Sequence, residues 1–442
     1  MKQTENIERF KAQIQQLSKE NERVSNLLTL AEINNSFLQS ELESTRKELK
    51  QLRDGKAVRF LLRYWWLRDR LFRKDKPISG GSDNVKQIKW GDNSLKEKQN
   101  NPPRKKIALV IDTPDWALDH IADQIIKHLS DDFEFLRIYM KDIDNYANVI
   151  LLAQSCELIH TLWRRNLVRL YDNQSKNRIS KIGLTWEEFK DRYINGKAFS
   201  TQVCDHLLLD EPDSFVTQKL FSDKDSICTH YAVSSEKLWD IYQTMPGLKI
   251  RPIALCQDGV DLGLFRPISI ERLRNINGRT IFFGWAGNSS WKAGDLKGIN
   301  TIIRPAIEEL QKEGYDIQLI TADRQEKMIP FEDMPEFYAQ LDCYICASIT
   351  EGTPLPVLES MACGLPVIST DVGIVPEAFG DKQKEYILED RSIECLKEKI
   401  KLLIDRNAFE ELSEENLISI RSWDWAIMTE NYRRFFRTCL QQ

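Results

Sequence analysis

A chain of 442 residues with 42% hydrophobic and 29% charged side chains has room for two folded domains and an extension. Its net charge of −5 argues against a nucleic-acid binder, and no apolar run reaches the ~20 residues that span a bilayer. Nine scattered cysteines and a polar start, Met1-Lys2-Gln3-Thr4-Glu5, read as a reduced cytoplasmic protein without a secretory signal.

The first segment carries a sustained heptad: Ile7, Phe10, Ile14, Leu17, Asn21, Val24, Leu28, Ala31, Asn35, Leu38, Leu42, Thr45, Leu49, Leu52. Polar residues fill the positions between, so the apolar stripe is too narrow for a globular core and fits a coiled-coil seam. Asn21 and Asn35 fall at equivalent a positions. Buried asparagine pairs penalise other registers and oligomers, so residues 1–54 predict a parallel dimer, a rod of about 70 Å. Residues 55–75 combine apolar, aromatic and basic side chains; Val58–Lys74 suits a helix lying on an anionic membrane surface. Packing of that helix against protein fits equally well. Residues 76–104 contain Gly80-Gly81 and Pro102-Pro103 and predict a flexible linker.

Folded sequence begins at Lys105. Ile107–Ile111 is a continuous apolar run, as a buried parallel strand requires. A helix is expected over Trp116–Leu129. Further strands are expected at Cys156–Ile159, Ser226–Val233, Ile250–Leu255, Thr280–Phe283, Ile317–Thr321, Cys343–Ala347 and Pro366–Ser369. Helical stretches alternate with them, which predicts an α/β protein with two doubly wound, Rossmann-like domains. The boundaries fall at 105–262 and 263–418, with a helix from 419 to 442 returning to the first domain. Cys343 and Cys346 lie in an apolar strand and read as core, so no metal site is expected.

Ser348–Gly380 carries the chemistry. A strand ends near Ser348, and Ile349-Thr350-Glu351-Gly352-Thr353-Pro354 forms a loop. Pro356 opens a helix, Gly364 ends it and Pro366 starts the next strand. A helix N-terminus after a strand presents free N–H groups and can hold a phosphate. Glu351 sits in the loop, and Glu359 lies about a turn into the helix, where a carboxylate can accept two bonds from a ribose diol.

Seven residues separate Glu351 from Glu359, and Met361-Ala362-Cys363-Gly364-Leu365-Pro366-Val367-Ile368 follows. This block resembles the E-x7-E signature of the retaining GT-B glycosyltransferases of family 4. Asp258-Gly259-Val260-Asp261 with Phe265-Arg266-Pro267 resembles that family's interdomain linker, and Trp423-Asp424-Trp425 with Tyr432 its returning C-terminal helix. The resemblance covers Lys105 onward. It implies transfer of a sugar from a nucleoside-diphosphate sugar to a saccharide or lipid-linked acceptor in cell-surface glycan synthesis. It also implies a GT-B fold and an enzyme at the inner membrane face.

Carried over residue by residue, the resemblance puts Glu351 at the donor sugar, Glu359 on the ribose, and the N–H groups around Gly352, Thr353 and Leu355 on sugar and diphosphate. Lys297 would face the diphosphate. A fixed cation there stabilises the leaving group, so no metal or other cofactor is expected. The family's arginine before that lysine has no match: Asn288 stands near its place. Arg324 is the candidate for the second cation, with a plain surface arginine as the other reading. Pro354 replaces a common glycine. His160, resembling the family's D-x-x-H, and His206 are the candidate donor-binding histidines; packing residues fit both as well. A non-transferase relative (an epimerase or a phosphorylase) and a coiled-coil scaffold with an inactive domain are the competing readings.

Overall fold

The structure is a computed structural model that describes residues 2–54, 104–205, 212–267, 270–274, 276, 278–290 and 294–441. The basic aromatic segment Val58–Lys74, the linker residues 76–103 and His206 lie outside the described residues. Residues Met1–Arg23 and Lys105–Gln442 form one compact unit, and Val24–Arg104 forms another. Helix α1 (Lys2–Asp54) covers the predicted heptad.

The first sheet is built from β1 (Lys105–Ile111), β2 (Phe133–Tyr139), β3 (Leu158–Thr161), β4 (Ala198–Val203), β5 (His230–Val233) and β6 (Ala254–Leu255). Its order is β2-β1-β3-β4-β5-β6, and every pair is parallel. Ile107–Ile111 are fully buried, because neighbours flank β1 on both sides and helices cover its faces. Helix α2 (Ala117–Leu129) follows β1 and buries Ile121, Ala122, Ile125 and Leu129.

The second sheet holds β7 (Ile281–Gly287), β8 (Ile317–Asp323), β9 (Cys343–Cys346), β10 (Val367–Thr370) and β11 (Ile387–Leu388), in the order β11-β10-β9-β7-β8, again all parallel. Two doubly wound α/β sheets, the predicted fold class, therefore make up the folded part. Cys343 and Cys346 are buried free thiols.

Several expected strands differ in detail. Of Ile250–Leu255 only Ala254–Leu255 is strand; Pro252 has no N–H for the ladder. Strand β3 lies two residues beyond Cys156–Ile159 and takes in His160. Of Ser226–Val233 only His230–Val233 pairs. Strands β2, β4 and β11 have no counterpart among the expected ones.

Helix α3 (Leu355–Ala362) follows β9 and its loop, and α4 (Trp425–Cys439) closes the described chain. Helix α4 packs on the first sheet, not the second. Trp425, Tyr432, Phe435, Phe436 and Cys439 join Ile107, Leu109 and Leu158 in one buried cluster.

Candidate active site

In each sheet the strand order reverses between the first and third strands, at β1/β3 and at β7/β9. Loops leaving the carboxyl ends of such strands diverge to opposite faces and open a crevice there, where ligands bind in open parallel sheets. The β7/β9 reversal puts Asn288 and the Ser348–Glu351 loop at one crevice. The β1/β3 reversal puts Asp112–Trp116 and the segment after Thr161 at the other. The site candidates thus gather by topology before any side chain is considered.

Lys297 and Glu351 meet in a direct ion pair, and the Ser348 hydroxyl donates to the same Glu351 oxygen at 2.7 Å. The turn that carries Lys297 is tightly fixed. Asp295 and Gly298 both adopt positive φ, 46° and 73°. A Cβ at Gly298 would come within 2.4 Å of the Ala347 carbonyl oxygen, so only glycine lets this turn lie against the end of β9. Arg391 ties the two segments together, donating to the Ala347 carbonyl at 2.7 Å and the Asp295 carbonyl at 2.8 Å. Burial pulls the Lys297 ammonium down, but Glu351 beside it more than offsets that, with smaller help from Cys346 and Asp205. Asp205 follows β4 in the first domain and pairs with the buried Arg164 at 3.2 Å. Charge therefore alternates across the two domains: Arg164, Asp205, Lys297, Glu351.

Glu359 is buried on the second turn of α3. Its Oε2 accepts a 2.6 Å bond from the hydroxyl of Tyr338, itself wholly buried. Burial pushes the Glu359 carboxyl up to about 7, and the Tyr338 bond only partly restrains it. About one turn of helix separates its backbone from the loop of Glu351.

Gly352 touches the first domain. A Cβ there would lie 1.8 Å from the Cys204 carbonyl oxygen and 2.4 Å from Ser234 Oγ. Any side chain would force the domains apart. Thr353 is half-buried, Pro354 caps α3 and Leu355 is its first residue. Pro356 has no N–H and Val357 N donates to the Pro354 carbonyl at 2.8 Å, so the free first-turn donor is the Leu355 N–H, with the aligned peptide groups of α3 behind it. Their dipole favours an anion at this end.

Behind this loop, Asp258, Tyr432 and Gln202 form a buried chain whose hydrogens can be counted. Gln202 Nε2 donates to the Cys256 carbonyl at 2.8 Å, so Oε1 is fixed as an acceptor, 3.0 Å from the Tyr432 hydroxyl. That hydroxyl has a single proton for two acceptors, since Asp258 Oδ1 lies 2.8 Å away on its other side. It donates to Asp258 while that carboxyl is charged. When Asp258 is protonated the order reverses: the acid donates to Tyr432, and Tyr432 to Gln202. Burial pushes its carboxyl up to about 6, with Tyr432 and Thr353 pulling back.

The remaining candidates fall elsewhere. Asn288 Oδ1 accepts from Ser290 N at 3.1 Å and Gln325 Nε2 at 3.0 Å, so it shapes the loop after β7 and brings no cation. Arg324 extends to the first domain, its guanidinium 4.7 Å from the centre of the Trp116 ring. Of the two readings of His160, donor contact or packing, its surroundings are those of a packing residue. It is fully buried, bonded to Ser200 Oγ at 2.9 Å, and its ring meets the edges of Phe435 and Phe436. Burial lowers its basicity to about 3, so it is neutral. Asp205, Arg164, Arg391 and Asp258 in its buried role escape sequence reasoning. Only Asp205 has a signal, its place directly before His206 at a strand end.

Residues 297–417 match the family described as "Glycosyl transferases group 1". That stretch contains Lys297, Glu351 and Glu359. A 53-residue stretch, 12% of the chain, is 43% identical to the O-antigen chain mannosyltransferase B of Escherichia coli. It spans only 14% of that relative's length. Among solved structures, the catalytic domain of Starch Synthase IV from Arabidopsis thaliana, bound to ADP and acarbose, superposes with a TM-score of 0.54 at 10% identity, covering 77% of this chain and 100% of that one. Anabaena Alr3699/HepE in complex with UDP and glucose gives 0.53 at 13%, covering 76% and 100%. At these identities the likeness establishes the fold, the paired Rossmann-like domains of GT-B enzymes.

Proposed function

We propose that this chain is a retaining glycosyltransferase acting in cell-surface glycan synthesis. The donor is a nucleoside-diphosphate sugar and the acceptor a saccharide or a lipid-linked saccharide. One observation carries the reading: the Lys297–Glu351 pair stands at the β7/β9 reversal beside the N-terminus of α3, with Glu359 further along that helix. The bond from the anomeric carbon to the diphosphate oxygen breaks, and a bond from that carbon to an acceptor hydroxyl oxygen forms on the same face. The acceptor proton ends on the departing diphosphate. Lys297 and the α3 N-terminus stabilise the charge that grows on the diphosphate. Glu351 orients Lys297 before the donor arrives and faces the sugar afterwards. Glu359, as a carboxylate, accepts from the ribose diol. These residues supply the leaving-group stabilisation without a metal.

The same reading includes a parallel dimer through the heptad of α1 and a peripheral place at the cytoplasmic face of the membrane. The O-antigen relative in Escherichia coli supports cell-surface glycan as the product class.

A thermal-shift screen of the full chain against nucleoside-diphosphate sugars identifies the donor. Transfer by Glu351→Gln is then expected to fall about 100- to 1000-fold, the usual cost of removing one group that orients transition-state charge stabilisation. Affinity for the nucleoside diphosphate is expected to hold or rise, because Lys297 loses its competing partner. Equal turnover by the variant removes Glu351 from the mechanism.

A further inference from the structure

Residues Lys19, Glu22 and Arg23 of α1 are bound to the first domain by polar contacts. Lys19 Nζ lies 3.0 Å from Asp119 and 2.6 Å from Asp123, both on α2. Arg23 makes a two-pronged contact with Asp142, Nε to Oδ2 at 2.6 Å and Nη2 to Oδ1 at 2.8 Å. Its guanidinium also lies 5.8 Å from the centre of the Tyr139 ring. Glu22 Oε1 accepts the backbone N–H of Arg137 at 2.6 Å. Arg137 belongs to β2, the edge strand of the sheet. A free edge N–H invites pairing with another chain, and Glu22 covers it.

The contact does not end at the surface. Asp119 has no exposed side-chain area, and besides Lys19 it takes the Tyr139 hydroxyl at 2.9 Å and the backbone N–H of Asp115 at 2.9 Å. Asp115 lies in the Asp112–Trp116 loop at the β1/β3 crevice and holds a positive φ of 60°. One carboxylate therefore joins α1 to the loop on the acceptor side. Arg137 completes the cluster, 2.7 Å from Asp123.

In the heptad register, Lys19 is an f residue, Glu22 a b and Arg23 a c. The a and d residues lie on the opposite side of the helix. Ile14 and Leu17 are 59% and 65% exposed, and farther along Val24, Leu28, Leu38 and Leu42 are all more than half exposed. The occupant of that stripe is a second copy of this chain. In a parallel pair each g position faces the following e position of the other copy, which matches Glu41 with Arg46 and Glu48 with Arg53 and sets no like charges together. An antiparallel pair would set g against g, and the g positions hold Glu20, Glu41 and Glu48 but no lysine or arginine to offset them. Asn21 and Asn35 each meet their own counterpart only in the parallel register.

We propose that α1 is a two-faced bracket. Its polar face is bolted to the acceptor-side domain through Lys19, Glu22 and Arg23, while its apolar face pairs with α1 of a second copy. The dimer then holds each acceptor-side loop beside the paired segment that ends at Arg23. This rests on the parallel dimer of the proposed function and adds the bolt.

The test uses the full chain and separates the two faces. Leu17→Cys, at a d position, is expected to give an interchain disulfide under mild oxidation that wild type does not. Arg23→Asp is expected to stay dimeric in sedimentation, while hydrogen exchange at the Arg137 amide speeds up at least about tenfold. Arg23→Asp with Asp142→Arg restores the slow exchange, which rules out a simple folding failure. Unchanged exchange in Arg23→Asp overturns the bolt and leaves the dimer standing. A monomer with no Leu17→Cys cross-link overturns the pairing, and slow Arg137 exchange would still report the bolt. Loss of the dimer in Arg23→Asp shows that the faces are not separate and overturns the bracket.

Discussion

Two buried carboxyls carry the proton behaviour of the site, and each makes a separate prediction. Glu359 sits at about 7, and the proposed ribose contact needs its charged form. Affinity for the nucleoside diphosphate should fall as pH drops through 7, by about tenfold between pH 8 and pH 6. Glu359→Gln should bind more weakly and lack this component. The diphosphate's own titration remains in the variant, so the difference between the two calorimetric pH profiles isolates the carboxyl. Matching profiles would take Glu359 off the ribose. Asp258 is raised from 3.8 to about 6. A carboxyl raised on folding contributes stability that is complete below its unfolded value and lost as pH rises through the folded one. By pH 8 the loss amounts to roughly 3 kcal/mol, since each unit is ~1.4 kcal/mol. An asparagine side chain has the same shape, so Asp258→Asn keeps a donor for Tyr432 and an acceptor for Thr353 at every pH. Urea unfolding should find it more stable than wild type at pH 8 and equal to it near pH 4. A less stable variant at pH 8 contradicts the raised Asp258 carboxyl.

At the scale of elements, continuous apolar runs are the readable ones. Ile107–Ile111 and Cys343–Ala347 announce buried parallel strands, and Pro356 and Gly364 mark the ends of α3. Strand β4 is hidden because Ala198-Phe199-Ser200-Thr201-Gln202-Val203 is half polar. Its hydroxyls and amide are spent internally, on His160, the Thr161 carbonyl and the Cys256 carbonyl, so burial costs little. Strand β2 carries Glu134 and Arg137, and ion pairs with Asp123 and Asp119 let Arg137 be buried. The site divides the same way. Glu351 and Glu359 stand in one contiguous pattern and Lys297 is reached only through the family resemblance, whereas Arg164 and Arg391 act through distant partners that no local spacing reveals. His160 stays ambiguous in the sequence because a strand-end histidine and a core histidine look alike until the covering helix is placed. That helix is α4, and it supplies an element-scale prediction. Phe436 is fully buried against Phe133, Phe135 and His160. Phe436→Ala should cost about 3–5 kcal/mol in urea unfolding, with the loss centred on the first domain although the residue is remote in sequence. A change under ~1 kcal/mol would mean that α4 is only a surface graft.

For the whole molecule, membrane attachment rests on composition alone. From Lys56 to Lys76 there are eight basic residues, Lys56, Arg59, Arg63, Arg68, Arg70, Arg73, Lys74 and Lys76, against Asp69 and Asp75. Each cation contributes on the order of 1 kcal/mol near an anionic surface, and Trp65 and Trp66 add insertion. The full chain should co-sediment with anionic vesicles, less so in high salt, and Trp65→Ser with Trp66→Ser should weaken it at any salt. Equal sedimentation of both proteins would favour a helix packed on protein.

The position of α4 bears on how the protein is made. A ribosome delivers the first sheet early, at ~5–20 residues per second, and α4 only after the whole second domain has emerged. Until then Ile107, Leu109 and Leu158 lack part of their cover. The first domain spends that interval as an incomplete shell with apolar surface facing solvent, while the second domain, which holds Lys297, Glu351 and Glu359, can fold around its own core. A nascent chain halted before Trp425 would leave that surface uncovered, so the first domain to be made is the last to be completed.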